Sequence, residues 1–497
     1  MKYSRYQTDI FNEVKHGTNN IVINAVAGSG KTTTIVECCK LLGLDKSDVK
    51  FLAFNKAIVQ ELNGKIGSHA DVSTLHSFGF SIIKKVNSKT KVNTRKYIDH
   101  IKDSVNKDNK KFMAIVNNAN KLFNLCRVNL VEADDMESII GICDEHQIVT
   151  LDNELTIVNT LLKDCYQLDN VPIPEIDYTD MLVLPLFYDD FIPSYKYVFI
   201  DECQDLNKSQ RKLMIHASRN GRFIAVGDRN QAINGFAGAD CNSFDKIAGL
   251  PNTIELPLSV NYRCGRNMID LAQQIVPAIQ ANDNAIDGKV THVDNINLKF
   301  FKPNDMILCR TTAPLVSICF KLIQAGVTAV VKGKDIGEAL INLIDKSKAN
   351  TLRGFKEYAD IEKNKLAKDI MKKEFCTMEE AQHTGRYIAF NDRIECVMVI
   401  AENCRNLECV KKQLQTMFND ENVNNAVILS TVHKAKGLEA NRVAILLPQK
   451  LPLTWKNQLD WQLQQERNLQ YVAYTRAKKE LVFVDIEQKQ LFQIRFT

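Results

Sequence analysis

The 497-residue sequence lacks features that define several other protein classes. No run of about 18 apolar residues could span a bilayer, and the N-terminal MKYSRYQTDIFNEVKHG lacks the apolar core of a signal peptide. We therefore expect a chain without membrane contact that stays in the compartment where it is made. The fourteen cysteines include no Cys-x-x-Cys pair, which argues against a zinc site and indicates reduced thiols.

The net charge of the chain is also small. The 64 Lys and Arg against 59 Asp and Glu leave +5, which is too little to indicate a nucleic-acid partner. The distribution is uneven, because residues 81–111 hold ten Lys or Arg against three Asp, whereas residues 128–162 hold eight acidic residues and no Lys or Arg. Solvated helix faces would account for any single charge. The segregation nevertheless predicts a phosphate-facing basic surface that begins after His76.

Strand and helix patterns alternate along the chain, which predicts an α/β fold with helices on both faces of parallel sheets. The length predicts about three domains or subdomains. The patterns favour two parallel-sheet cores, each interrupted by a mainly helical insertion. The predicted parts are core 1 at residues 1–80 and 173–260, its insertion at 81–172, core 2 at 261–345 and 415–497, and a smaller second insertion at 346–414.

Residues 25–32, AVAGSGKT, follow the P-loop pattern except that Ala25 replaces the first glycine. They lie between a predicted strand and a predicted helix, as a P-loop requires. Its N–H groups would surround phosphate oxygens, Lys31 would reach the β- and γ-phosphates, and Thr32 would offer a hydroxyl to Mg²⁺. A chance Gly-Ser loop is the alternative. The predicted ATP-binding residues here are Ala27, Gly28, Ser29, Gly30, Lys31, Thr32 and Thr33.

A second chemical pattern follows the apolar strand at residues 197–200, which ends in Asp201 and Glu202. Asp201 would hold Mg²⁺ together with Thr32, and Glu202 would orient and deprotonate the attacking water. The alternative is that the two acids only cap the next helix. Their combination with a P-loop favours the catalytic interpretation.

Asp-Glu-Cys-Gln-Asp at 201–205 resembles motif II of superfamily 1A helicases of the UvrD/Rep type, and the other motifs of that family follow in order from Gln7 to Arg476. They are AFNKA at 53–57, TLH at 74–76, GDRNQAI at 227–233, NYR at 261–263, CRT at 309–311, TVHKAKGLE at 431–439 and YVAYTRA at 471–477. The AFNKA form and the short second insertion are most similar to F-box DNA helicase and phage-type members. The resemblance implies two RecA-like cores.

The resemblance also implies roles for individual residues. Gln7 would read adenine and Tyr262 would stack on it, Gln231 would sense the γ-phosphate and the attacking water, and Gly437 and Glu439 would lie at the ribose. Arg263 would contact the γ-phosphate and Arg476 would act as an arginine finger. The implied catalytic set is Lys31, Thr32, Asp201, Glu202, Gln231, Arg263 and Arg476. The implied DNA contacts are Phe54, Asn55, Thr74, His76, Phe236, Arg310, Thr431 and His433.

These expectations describe an ATP- and Mg²⁺-dependent translocase and helicase that steps 3′→5′ on single-stranded DNA. Hydrolysis in a cleft between the cores would drive stepping on single-stranded and tailed duplex DNA, with a single-strand-binding or recombinase protein as a further partner. A cytoplasmic location in a bacterium or phage-infected cell is expected, and the nucleus stays open. Two alternatives stay open: a DNA-stimulated ATPase that strips or remodels nucleoprotein filaments, and a P-loop small-molecule kinase or nucleotide switch.

Overall fold

The computed structural model describes residues 3–109, 111–150, 153–166, 174–235, 240–294, 298–418 and 425–487. The chain divides into two compact units, Met1–Val26 with Gly30–Ser259, and Ala27–Ser29 with Val260–Thr497. Among the described helices, none is long and apolar enough to cross a membrane.

The first unit is organised around a six-stranded parallel sheet with the order β3-β2-β6-β7-β1-β8. Its interior strands β2 and β7 are buried throughout, as expected for a sheet covered on both faces. A separate pair, β4 with β5, is also parallel. The strands of this unit are β1 (Asn20–Ala25), β2 (Val49–Ala53), β3 (Asp71–Thr74), β4 (Lys91–Val92), β5 (Glu175–Ile176), β6 (Tyr197–Ile200), β7 (Arg222–Gly227) and β8 (Thr253–Leu258).

Eleven described helices accompany this sheet: α1 (Arg5–His16), α2 (Lys31–Leu41), α3 (Lys56–Ile66), α4 (Leu75–Val86), α5 (Lys96–Ser104), α6 (Phe112–Val128), α7 (Met136–Glu145), α8 (Glu154–Tyr166), α9 (Asp180–Val183), α10 (Lys208–Ala217) and α11 (Ser243–Ala248). Helices α5 to α8 form the first insertion and have a hydrophobic core of their own. The predicted helical insertion is therefore a distinct packing layer.

One buried ion cluster joins this insertion to the chain that returns from it. The guanidinium of Arg127 on α6 contacts Asp177 at 2.5 Å and Asp180 at 2.8 Å. It lies 4.4 Å from the ring centroids of both Tyr97 and Phe123. Burial raises the pKa of the Asp180 carboxyl, and the nearby Arg127 charge opposes that shift.

The second unit has its own six-stranded parallel sheet, with the order β11-β16-β15-β12-β14-β13. The pair β9 with β10 is also parallel. The strands are β9 (Val260–Asn261), β10 (Gln280–Ala281), β11 (Lys289–Val293), β12 (Met306–Cys309), β13 (Ala329–Val331), β14 (Val427–Thr431), β15 (Ala440–Leu446) and β16 (Ala477–Val484).

The helices of the second unit are α12 (Arg266–Gln273), α13 (Ala313–Gln324), α14 (Lys334–Ser347), α15 (Leu352–Glu374), α16 (Met378–Gln382), α17 (Gly385–Ala401), α18 (Leu407–Met417) and α19 (Asp460–Tyr474). Helices α15 to α18 form the second insertion. Parts of α15, α17 and α18 share the core of the sheet, whereas Ala367, Ile370 and Ala381 form a small cluster of their own.

The fold class predicted from the sequence is confirmed, because each unit contains a parallel sheet with helices and a helical insertion. The predicted boundaries after residues 80, 345 and 414 fall inside α4, α14 and α18, so these helices run across them. Within the predicted second insertion, α15 begins at Leu352, where the Thr351 hydroxyl caps the helix by accepting from Gly354 N.

Candidate functional site

The turn between β1 and α2 has the features of an anion site. β1 ends at Ala25 and α2 begins at Lys31, directly after Gly30 in the left-handed region with φ +82°. No described side chain caps the start of α2. A helix N-terminus offers N–H donors and partial positive charge to a phosphate. The structure therefore places Lys31 and Thr32 where the P-loop pattern predicts them.

Ala27, Gly28 and Ser29 are grouped with the second unit. Asn261 Nδ2 donates to Ala27 O over 2.7 Å, and Ala27 N donates to the Tyr471 hydroxyl over 2.8 Å. Gly28 has φ +66°, and a Cβ there would lie 2.6 Å from Asn261 Nδ2, so glycine is required. The Ser29 hydroxyl is buried without a hydrogen-bond partner among the described residues, and a phosphate oxygen would satisfy it.

Asp201 and Glu202 lie at the carboxyl edge of the first sheet. Only β7 separates β6 from β1 in the sheet. The two acids therefore follow a strand close to β1, which leads into the turn at residues 26–30, called the phosphate turn below. Asp201 is buried, and its Oδ1 accepts from Glu202 N over 2.9 Å. Glu202 has φ +53°, an unusual conformation for a residue other than glycine and one found at functional sites.

Gln204 connects Glu202 to the end of β7. Its Nε2 donates to Glu202 Oε2 over 2.5 Å, and its Oε1 accepts from Asp228 N over 3.0 Å. Gln231 Nε2 in turn donates to Asp228 Oδ2 over 2.8 Å. A Cβ on Gly227 would lie 2.5 Å from Gln204 Oε1, so glycine permits this approach. The predicted site residues Glu202 and Gln231 are thus connected by one hydrogen-bonded network.

Lys31 contributes positive charge to this network. Complete burial raises the pKa of the Asp228 carboxyl, and Lys31 opposes that rise. Burial, followed by Glu202 and Asp201, raises the pKa of the neighbouring Cys203 thiol well above its usual value. Cys203 therefore stays protonated and presents no thiolate to a cation.

The oxygen donors of this edge suit Mg²⁺ in the presence of a nucleotide. No group of three His, Cys, Asp or Glu that could hold a metal occurs within the described part of the chain. Mg²⁺ at nucleotide sites typically takes one or two carboxylates and completes its shell with phosphates and water. One buried carboxylate, Asp201, together with the Thr32 hydroxyl fits that arrangement.

Gln7 is buried on α1 and already makes two hydrogen bonds. Its Oε1 accepts from Ser4 N over 3.0 Å, and its Nε2 donates to Thr34 Oγ1 over 3.1 Å. Thr34 is the fourth residue of α2, whereas the predicted contact Thr33 is exposed. The Gln7 side chain is therefore fixed to the helix that follows the phosphate turn.

In the second unit, Arg263 and Glu439 form an ion pair at 2.5 Å. Lys478 contacts the other Glu439 oxygen at 2.6 Å, and Arg263 Nη1 donates to Thr475 O over 3.3 Å. The neighbouring Tyr262 is 45% exposed, which leaves its ring available for stacking. Gly437 is exposed and has φ +85°.

Arg476 is fully buried and bonds within its own unit. It donates to Val472 O over 2.9 Å, to Leu438 O over 3.2 Å and to Thr475 Oγ1 over 3.1 Å. Burial and the charge of Arg263 lower its pKa to about 10, so it stays cationic at neutral pH. The structure brings Arg476 close to Arg263, but its guanidinium bonds to main-chain carbonyls.

The predicted DNA contacts of the first unit lie at one sheet edge, because Ala53 pairs with Thr74 across β2 and β3. Phe54 is exposed directly after β2, and Asn55 Oδ1 caps α3 by accepting from Ile58 N over 3.0 Å. Thr74 is buried and caps α4, accepting from Ser77 N over 3.1 Å. Burial lowers the pKa of His76. Asn55 and Thr74 therefore have structural roles as helix caps.

The predicted contacts of the second unit follow β12 and β14, where Cys309 pairs with Thr431. Arg310 forms a bidentate ion pair with Glu466, whose oxygens lie 2.5 to 3.0 Å from Arg310 Nε and Nη2. Burial, together with the charge of Arg310, lowers the pKa of His433 to about 3. Phe236 lies outside the described residues.

Sequence reasoning missed several residues of these sites. Four of them lie within the family motifs, but the resemblance gave them no role: Gln204, Asp228, Asn261 and Tyr471. Glu466 has no motif context, and only its burial beside Arg310 reveals it.

Two family models match the chain, the UvrD/REP helicase N-terminal domain over residues 6–250 and the UvrD-like helicase C-terminal domain over residues 426–484. Together they match more than half of it. F-box DNA helicase protein 1 of Schizosaccharomyces pombe is 24% identical, with 93% of this chain and 55% of that protein aligned. The ATP-dependent DNA helicase Rep of Buchnera aphidicola is 26% identical over 54% of this chain and 43% of its own length. The chain thus spans about half the length of the curated relatives it matches.

Proposed function

The chain belongs to the UvrD/REP helicase family, and from this premise we propose that it is an ATP- and Mg²⁺-dependent translocase and helicase that moves 3′→5′ on single-stranded DNA. The carrying observation is the network from Glu202 through Gln204 and Asp228 to Gln231, at the sheet edge where β1 leads into the phosphate turn. Polarity comes from the family resemblance. Single-stranded and tailed duplex DNA are the proposed substrates, and a single-strand-binding or recombinase protein is the proposed further partner.

For hydrolysis, the N–H groups of the phosphate turn and Lys31 would hold the nucleotide phosphates. Thr32 and Asp201 would hold Mg²⁺, which when bound neutralises phosphate charge. Glu202 would accept a proton from the attacking water, and Gln231 would orient that water. The ordered Gln204 amide supports this assignment because it fixes the Glu202 carboxylate before the substrate binds.

Second-unit residues would complete nucleotide recognition. Tyr262 would stack on adenine, Glu439 beside Gly437 would accept from the ribose, and Arg263 would contact the γ-phosphate. Arg476 would act as an arginine finger only after its guanidinium leaves the carbonyls that now bind it. We therefore propose that Arg476 has a resting position and a catalytic position.

The proposed DNA grip combines stacking with phosphate contacts that tolerate any sequence. The exposed Phe54 ring suits stacking. The pKa of His433, about 3, makes it a neutral hydrogen-bonding group at physiological pH. The remaining proposed contacts are Asn55, Thr74, His76, Phe236, Arg310 and Thr431.

A second candidate is a DNA-stimulated ATPase that displaces proteins from DNA without separating strands. Its supporting observation is that much of the second insertion shares the core of the second sheet, which limits the surface it can offer to a duplex. A small-molecule kinase would use the same phosphate turn but would turn over ATP independently of DNA.

The deciding experiment measures ATP hydrolysis with and without single-stranded DNA, beside unwinding of 3′-tailed and 5′-tailed duplexes. We expect DNA-stimulated turnover, unwinding from the 3′ tail only, and loss of both in Lys31→Ala. An exposed lysine elsewhere in the first unit, changed as Lys208→Ala, is the matched control. Displacement without unwinding would support the remodelling ATPase, and turnover indifferent to DNA would overturn the motor.

A further inference from the structure

One face of helix α15 is buried and the opposite face is basic. Phe355, Ala359, Ala367 and Ile370 pack inward. Ile361, Lys365, Lys368 and Lys372 recur at helical spacing on the outer face, and we call this set the α15 stripe. Ile361 is 64% exposed although it is apolar. The stripe leads directly to Phe375.

Phe375 projects from the turn after α15. It is 95% exposed and has φ +48°, a left-handed conformation that is rare for an aromatic residue. The left-handed conformation ends α15, because Phe375 N donates to Met371 O at the helix C-cap. The cap accounts for the backbone at this position but does not require an aromatic side chain, and a large apolar ring left in solvent gains no free energy from burial.

The turn that carries Phe375 is held by the loop that precedes α19. Asn457 Nδ2 donates to Glu374 Oε2 over 2.9 Å, and Lys456 pairs with Glu380 at 2.6 Å. A Cβ on Gly385 would lie 3.1 Å from the Trp455 indole nitrogen, so the same loop packs on the start of α17. The turn that carries the Phe375 ring is therefore held in place by contacts on both sides of it.

The charge of the stripe points to one class of ligand. Within the described part of the chain, neither Lys368 nor Lys372 forms an ion pair, and Lys365 makes only an exposed contact of 3.3 Å with Glu362. Asp369 lies at the edge of the stripe. Cations in a row ending in an exposed ring combine phosphate attraction with base stacking, which is the combination that nucleic acids require.

We propose that Phe375 stacks on the first base pair of a duplex where it meets a single strand, while the α15 stripe contacts the adjoining duplex phosphates. A single protruding ring suits insertion at a junction, because tracking a strand would need a groove lined by several rings. This inference rests on the proposed function, to which it adds the element that separates the strands.

Binding tests the proposal without ATP turnover. A tailed duplex carries 2-aminopurine at its first paired position, and its fluorescence reports stacking by an aromatic ring. The full chain should change this signal, Phe375→Trp should retain the change, and Phe375→Asn, which suits the left-handed conformation, should lose it. Junction affinity should fall about tenfold in Phe375→Asn, while affinity for single-stranded DNA stays unchanged.

The salt dependence of DNA affinity tests the lysines of the α15 stripe. Changing Lys368→Gln together with Lys372→Gln should reduce the slope of log affinity against log salt by about 1.8, because each duplex phosphate contact contributes about 0.9. Lys356→Gln together with Lys412→Gln is the matched control, since both lysines are exposed in the same unit away from the stripe. An unchanged slope in the stripe variant would overturn the phosphate contacts.

Hydrolysis separates this proposal from the proposed function. Phe375→Asn should retain DNA-stimulated ATP turnover and lose unwinding of a tailed duplex. The wild-type chain could show DNA-stimulated ATP turnover while Phe375→Asn unwinds the duplex and changes the 2-aminopurine fluorescence as wild type does. This result would overturn the junction contact and leave the proposed translocase function supported. If wild type shows no stimulation, the motor fails, and the fluorescence still reports the junction contact.

Discussion

The side-chain amide of Gln204 holds the carboxylate of Glu202, with Nε2 and Oε2 separated by 2.5 Å. The other end of the same amide accepts from Asp228 N, so two neighbouring strand ends are tied together by one side chain. A general base is effective only when its oxygen points at the water it must deprotonate. Gln204 is therefore a positioning residue for the proposed base.

Gln204→Ala should reduce the turnover number for DNA-stimulated ATP hydrolysis about tenfold to a hundredfold and leave the KM for ATP nearly unchanged. The substitution frees the Glu202 carboxylate without removing a phosphate contact. Gln204→Glu should cost more, because it places a second negative charge beside Glu202. Steady-state kinetics at saturating DNA would measure both, and a turnover number equal to wild type in Gln204→Ala would remove the positioning role.

Arg476→Ala should destabilise the second unit as well as stop hydrolysis. The guanidinium is fully buried and donates to two carbonyls and one hydroxyl, which the substitution leaves without that partner. Losing such bonds costs about 2 kcal/mol or more. Urea unfolding followed by circular dichroism would show a lower midpoint. A midpoint equal to that of wild type would mean that Arg476 has no structural role in the second unit.

The parallel sheets could be predicted because their strands are short apolar runs separated by helical patterns. The strand ends were equally predictable, since Asp201 and Asp228 directly follow apolar strands and Lys31 begins the helix after the turn that follows β1. Chemistry at strand ends depends on local sequence, which a single chain displays. This is why Asp201 and Glu202 lie directly after β6, at the end of the apolar run at residues 197–200.

Partners remote in sequence could not be predicted. Arg310 pairs with Glu466, which is 156 positions away, and nothing local marks that carboxylate as a partner. The bonds of Arg476 to the carbonyls of Val472 on α19 and of Leu438 were likewise not indicated by its motif. Such pairings depend on helix placement over a sheet, and hydrophobic periodicity does not specify it.

Arg127→Met should destabilise the first unit by about 3 kcal/mol, because it removes the nearer of the two cations that contact the buried Asp180 and leaves only Lys96, at 3.3 Å. Adding Asp180→Asn should recover part of the loss, since an amide needs no counter-charge. The control is Arg95→Ala, whose exposed pair with Asp99 on α5 should have little effect. Denaturant unfolding of the three variants would measure these differences. Equal losses in the single and double variants would mean that packing, and not charge, dominates at this position.

His433 should make the second unit sensitive to acid. Its folded pKa of about 3 lies below the usual value of 6.5, because burial disfavours the cation and Arg310 repels it. The unfolded chain therefore binds a proton that the folded chain refuses between these two values, so this contribution to stability is complete above about pH 6.5 and declines as pH falls. Unfolding midpoints in urea should drop between pH 7 and pH 5, and His433→Gln should show a smaller drop. His100→Gln, at an exposed position on α5, should follow wild type. A His433→Gln curve parallel to wild type would contradict the lowered pKa of His433, because it would show that folding leaves its affinity for protons unchanged.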